Sequence, residues 1–256
     1  MRVIYSSIII LLFTGFCQAQ IIQNLEKSPD EIYEKQFVSL ITALQRNAWS
    51  EWKSGTEVVV EIRRQTTGSP VYLQPDEVYT IVKADKLLTR TQLVKGKSIR
   101  QKFNVNNEIG MQKAIIGADK VGTEIVEIDG FRLNSVVNEL RETQFPGGTR
   151  ITKEWVLATT PSILLKYDVN GVGWSIASAH VVKKIAGREF LCLEIKKRMI
   201  IYSGGKLNVV TTQYLSPDVP GHLVEQTDEF FEIKNGSANA LPKLVVYTKV
   251  VEIKNP

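Results

Sequence analysis

Few side-chain sets in this 256-residue chain have the types and spacing that chemistry requires. Gly173-Trp174-Ser175-Ile176-Ala177 comes within one residue of G-x-S-x-G, the turn that presents a nucleophilic serine. That turn passes from a strand into a closely packed helix. In this chain Ala177 replaces the last glycine, and the residues that follow alternate as a strand does. A Ser175/His180 or Ser175/His222 pair with an aspartate would have to assemble across the fold. His180 lies in a β-like run and reads as an ordinary hydrogen-bonding strand residue, while His222, just beyond a Pro-Gly corner, is expected at the surface. Neither H-E-x-x-H nor C-x-x-C occurs, so no metal centre is expected. With no P-loop and no G-x-G-x-x-G, no cofactor is expected either, and no residue is assigned a catalytic role.

Binding chemistry has more candidates. Trp49, Trp52, Trp155, Trp174 and Tyr214 are the aromatic positions that would line an apolar pocket in a curved sheet, or else fill its core. Lys95-Gly96-Lys97-Ser98-Ile99-Arg100-Gln101-Lys102 and Lys196-Lys197-Arg198 are basic clusters. A net charge of +5 is weak for nucleic-acid binding, which wants basic residues on one face with interleaved aromatics. The clusters read as solvated strand faces, with anionic headgroups or cell-wall polymers as the functional variant.

What positions these residues begins with an address. Met1-Arg2, the apolar run Ile8-Ile9-Ile10-Leu11-Leu12-Phe13 and Cys17-Gln18-Ala19 form a secretory signal pattern with a cut after Ala19. The apolar part is shorter than the roughly 20 residues a spanning helix needs, so no transmembrane segment is expected after cleavage. Removal of residues 1–19 leaves Cys192 as the sole cysteine, set among apolar residues, and so no intrachain disulfide. That suits a bacterial periplasm or extracellular space better than a disulfide-rich secretion.

Residues 20–256 read as one exported domain with one helix followed by strands. Ser28-Pro29-Asp30-Glu31 is a helix start with a capping-box spacing. Tyr33, Phe37, Leu40, Ile41, Leu44 and Ala48 then make one apolar stripe, which predicts a helix over 28–48 that must dock on something. From 56 the period changes to two: Val58, Val60 and Ile62 alternate with Glu57, Glu61 and Arg63. Further strands are predicted at 78–82, 87–94, 99–105, 124–128, 138–143, 151–157, 174–182, 190–202, 207–215, 222–233 and 244–253. Asn170-Gly171, Gly147-Gly148, Gly204-Gly205 and Asn235-Gly236 supply the turns. Short connections make hairpins, so the fold class expected is mainly β: an antiparallel meander with one N-terminal amphipathic helix. A weak internal repeat relates 128–168 to 185–227: Ile128-Asp129-Gly130 matches Ile185-Ala186-Gly187, and Trp155, Pro161 and Leu164 match Tyr214, Pro220 and Leu223.

Two stretches also carry a resemblance. Asn47-Ala48-Trp49-Ser50-Glu51-Trp52-Lys53-Ser54-Gly55-Thr56-Glu57-Val58 is similar to an N-x-W-x-x-F-x-x-G-S/T-x-V opening. Ala186-Gly187-Arg188-Glu189-Phe190-Leu191-Cys192 resembles an A-G-x-x-F-x-C strand, and Leu215–Val224 a W-x-S-P-D-V-P-G-G-x-V corner. These are motifs of uncharacterised secreted bacterial β-sheet proteins. The chain departs from them at Trp52, Tyr214 and His222. The resemblance implies a strongly curved, half-barrel-like sheet with the helix packed on it, and it carries over no catalytic residue. The function expected is non-enzymatic binding of a lipid, a small amphiphile or an envelope protein. The alternatives are an interaction module without a pocket and a hydrolase built on Ser175.

Overall fold

The computed structural model describes residues 28–68, 75–94, 97–104, 118–144, 148–202, 206–234 and 237–256. The signal pattern with Cys17, and the turns at Gly147, Gly204-Gly205 and Asn235-Gly236, lie outside the described residues.

The helix α1 runs Pro29–Leu44, four residues shorter at its C-terminal end than its apolar stripe suggests. Ser28 caps it, its hydroxyl accepting from the Glu31 N–H at 3.2 Å, and Pro29 occupies the first turn. Tyr33, Phe37, Ile41 and Leu44 are its buried face. Past Leu44 the chain leaves the helix, and Ala48 and Trp49 are buried in a different core.

The strands are β1 (Glu57–Thr66), β2 (Glu77–Ala84), β3 (Leu87–Val94), β4 (Lys97–Asn104), β5 (Asp119–Ile128), β6 (Phe131–Gln144) and β7 (Gly148–Leu157). Then follow β8 (Leu164–Val169), β9 (Val172–Ile185), β10 (Arg188–Tyr202), β11 (Lys206–Leu215), β12 (Leu223–Lys234), β13 (Ser237–Ala238) and β14 (Leu244–Lys254). Thirteen of them form a single open antiparallel sheet in the order β4-β3-β2-β1-β14-β12-β11-β10-β9-β8-β7-β6-β5, with the two-residue β13 beside β12. Most neighbours are consecutive hairpins; the exceptions are β12 against β14, which flank the two-residue β13 in sequence, and β14 against β1, which joins the last strand to the first. Sequence reasoning leaves out β8 and the first half of β6.

That sheet cannot be flat. Twelve steps of about 4.8 Å would put its edges roughly 58 Å apart. The fifteen residue steps from Asn104 to Asp119, which link the two edge strands, reach about 50 Å at full extension. The curl shows directly in β9, whose Cα atoms come within 8 Å of those of both β5 and β14, each four strands away. Bulges between β9 and β10, β11 and β12, and β1 and β14 provide the bends.

Two apolar cores result. The first joins α1 to Ile128, Leu133, Val137, Leu157, Leu165 and Ile195, with Tyr33 stacked on Phe131 at 4.1 Å. The second gathers Trp49, Val58, Val60, Leu88, Phe190, Cys192, Val224 and Val250. Cys192 and Leu193 are both fully buried yet belong to different cores. Consecutive strand residues point to opposite faces, so the cores meet β10 from its two sides. Burial pushes the Cys192 thiol up to about 11, as the apolar setting of that residue suggests.

The two stretches compared as a weak repeat begin at similar turns. Asp129-Gly130 and Ala186-Gly187 are two-residue turns with positive φ throughout, and each is followed by a long strand, a hairpin, a second strand and a corner.

Replacing Phe37, 1% exposed in the first core, by Ala should lower unfolding free energy by about 3–5 kcal/mol, measured by urea denaturation.

Candidate functional site

Three arrangements outside the apolar cores have chemical content. The first is centred on Asp129, at the tip of the β5–β6 hairpin. Its Oδ2 accepts from the Tyr33 hydroxyl of α1 at 2.8 Å and from the Ala179 N–H of β9 at 2.8 Å, and His180 Nδ1 lies 3.4 Å away. Burial pushes the Asp129 carboxyl up, but hydrogen bonds from Ser178, Ala179, Tyr33 and His180 outweigh it and hold the group below the usual carboxylate range. Burial, with Asp129 beside it, raises the Tyr33 hydroxyl. Helix, hairpin and central strand are tied at one carboxylate.

The second is where the resembling motifs meet. Gly221 donates to the Ala48 carbonyl at 3.1 Å, and its φ of +79° leaves room beside the Trp49 indole that a Cβ would crowd. Lys83, only 8% exposed, donates from Nζ to the carbonyls of Trp49 at 2.6 Å, Ser50 at 3.4 Å and Trp52. An ammonium with its three donors spent on three carbonyls pins the Trp49 loop to β2. A small hollow of about 220 Å³ lies alongside, lined by Trp52, Arg46, Asp218 and His222 among others. His222 is half-buried rather than exposed, with Nε2 at 3.3 Å from the Arg46 carbonyl.

The third is a cleft of about 430 Å³ on β1, β14 and β12, lined by Glu61, Arg63, Gln65, Glu225, Tyr247, Lys249 and Val251. Val60 and Val250, paired across β1 and β14, are in the second core. Their neighbours Glu61, Lys249 and Val251 therefore face the opposite way, and the cleft lies on the other side of the sheet from that core. Lys249 is in register between Glu61 and Glu225. Glu61 pairs with Arg63 at 3.0 Å, and Glu225 with Lys183 at 3.1 Å. Tyr247 and Val251 give the cleft an apolar contact among charged and amide side chains held at fixed positions.

The five aromatic candidates do not converge. Trp155 and Trp174 pack in or against the first core, and Trp49 and Tyr214 in or against the second. Trp155 donates from Nε1 to Glu124 at 2.7 Å, with Lys166 over its ring at 4.2 Å; Lys183 sits over Tyr214 at 3.6 Å. Trp52 alone of the five lines one of the two hollows. Ser175 is within β9, paired with Lys166 and Lys196 and not on an elbow. Five residues along the strand from His180, it lies roughly 15 Å away. Sequence reasoning missed the cleft and Lys83. Alternation in β1 put Glu61 and Arg63 opposite the core, but nothing local announced that Tyr247 and Lys249 would stand beside them.

No family model matches the chain, and no curated protein matches it. Among solved structures, a Bacteroides fragilis protein with a YmcC-like fold is 9% identical, with a TM-score of 0.32, over 80% of this chain and 97% of that one. A LolA superfamily protein from Nitrosomonas europaea is 9% identical, with a TM-score of 0.27, over 85% and 94%. At these values neither likeness bears on what the protein does.

Because Asp129 stays ionised to lower pH in the folded protein than in the unfolded chain, its contribution is complete above the unfolded carboxyl value, near 4. It is lost as pH falls through the lower, folded value. The stability gap between wild type and Asp129→Asn should therefore be widest near neutrality and close in that acid window, as followed by thermal melts across pH.

Proposed function

We propose that the protein is an exported, non-catalytic binding module that takes an amphipathic ligand in the cleft on β1, β14 and β12. The cleft carries the reading: its volume falls in the range of small-molecule sites, and Tyr247 and Val251 lie beside Arg63, Lys249, Glu61 and Glu225. That combination suits a ligand with a short apolar body and a polar head. α1 packs its own side chains Tyr33, Phe37, Ile41 and Leu44 into the first core, so an apolar ligand enclosed behind the helix has less support than one held in this cleft. The signal pattern supports export, and the secreted-protein motifs support the same compartment. A hydrolase that pairs Ser175 with His180 is disfavoured by their separation along β9.

Native mass spectrometry of the exported protein, with organic extraction of the same sample, tests the reading. The expected result is an extra mass that extracts as a small amphiphile, with occupancy reduced about tenfold by Tyr247→Ala. A clean unliganded mass that persists after incubation with lauric acid and with a neutral dodecyl amphiphile would overturn it. A fluorophosphonate probe at millimolar concentration should leave Ser175 unlabelled; stoichiometric labelling would revive the hydrolase.

A further inference from the structure

The sheet ends in two strands whose outer sides pair with nothing among the described residues, and those strands carry opposite charge. β4 has Lys97, Arg100 and Lys102 and no acid; β5 has Asp119, Glu124 and Glu127 against one cation, Lys120. Each also exposes large apolar side chains: Ile99 at 47% on β4, and Val121 at 55% and Ile125 at 50% on β5. Long edges with exposed apolar residues are templates for strand addition, and charge decides which strands they accept. Like edges are excluded, since β4 against β4 would bring only cations together and β5 against β5 mostly acids. The combination left favourable is β4 with β5.

We propose that β4 of one copy pairs antiparallel with β5 of a second copy, in the register that sets Ile99 opposite Ile125. This single register also sets Lys97 opposite Glu127, Arg100 opposite Glu124 and Phe103 opposite Val121. Two ion pairs and two apolar pairs thus coincide, with directly opposed residues sharing a face as antiparallel pairing requires. Glu124 is exposed even though one of its oxygens accepts from Trp155. The partner has to be another molecule. Every step across the sheet is antiparallel and thirteen strands are in series, so β4 and β5 of one chain run in the same direction. The complementary register needs them opposed.

Sedimentation velocity over about a hundredfold concentration range, in low and high salt, tests this on the purified protein. Association that tightens with concentration and weakens with salt is expected. Lys97→Glu and Glu127→Lys should each weaken it about tenfold, by turning an attraction into a repulsion. An equimolar mixture of the two variants should recover affinity, because each then supplies the edge the other lacks. Circular dichroism confirms that each variant keeps its strands. A species of monomer mass at every concentration and salt, or reversals that leave association unchanged, would overturn the proposal.

Discussion

The Asp129 carboxylate is the point at which three parts of the chain that are far apart in sequence hold one another. An open sheet that curls exposes an apolar lining, and the helix covering it needs its position along the strands fixed as well as its face. Apolar packing of Phe37 and Ile41 supplies attraction with little directionality. Tyr33, whose ring stacks on Phe131, donates to Asp129, and Asp129 in turn accepts from the Ala179 backbone. The tip of the β5–β6 hairpin is thereby fastened to β9, four strands away, so the same carboxylate sets the curl of that half of the sheet and the seat of the helix. A type of turn that tolerates aspartate at positive φ puts the carboxylate where it can do this.

The other half is organised by a different device. Leaving α1, the chain buries Trp49 and returns to the sheet as β1, which pairs with the last strand, β14. Lys83 holds the carbonyls of the Trp49 loop, and the corner before β12 closes over the indole through Gly221. A buried ammonium is costly unless its donors are satisfied. In this position all three have acceptors, which turns the cost into a constraint on the loop's shape. Both halves therefore rely on one charged group donating to or accepting from backbone at a place where elements distant in sequence converge.

Legibility in the sequence follows from whether a feature is local. The cap at Ser28, the apolar stripe, the period of two in β1 and the Asn170-Gly171 turn depend on residues within a few positions, and each is found where the pattern puts it. The helix ends early because Ala48 and Trp49 continue the apolar pattern into a second core, which periodicity cannot distinguish from a longer helix. β8 is six residues with Lys166 and Asp168 in it, too short and polar to alternate clearly. The Asp129 and Lys83 ties join positions tens of residues apart, and no spacing rule reports them. Aromatic content left two readings open for a related reason: large rings fill cores as well as line pockets, and four of the five candidates are packed in or against the two cores.

Placing the cleft on the face opposite the second core has a consequence for how this fold can bind. Cavities inside a core trade stability for volume, since every methylene removed to make room costs packing. A cleft lined by residues such as Glu61 and Lys249 avoids that exchange, because alternation along β1 and β14 lets Val60 and Val250 stay in the core while their neighbours face the cleft. The cleft's charged groups then sit on strands in fixed register, with Glu225 anchored by Lys183 from β9. Side chains on this face can change to suit a different head or body without disturbing either core. In such a fold the ties at Asp129 and Lys83 set the shape of the sheet, and the proposed site lies on a surface those ties leave free.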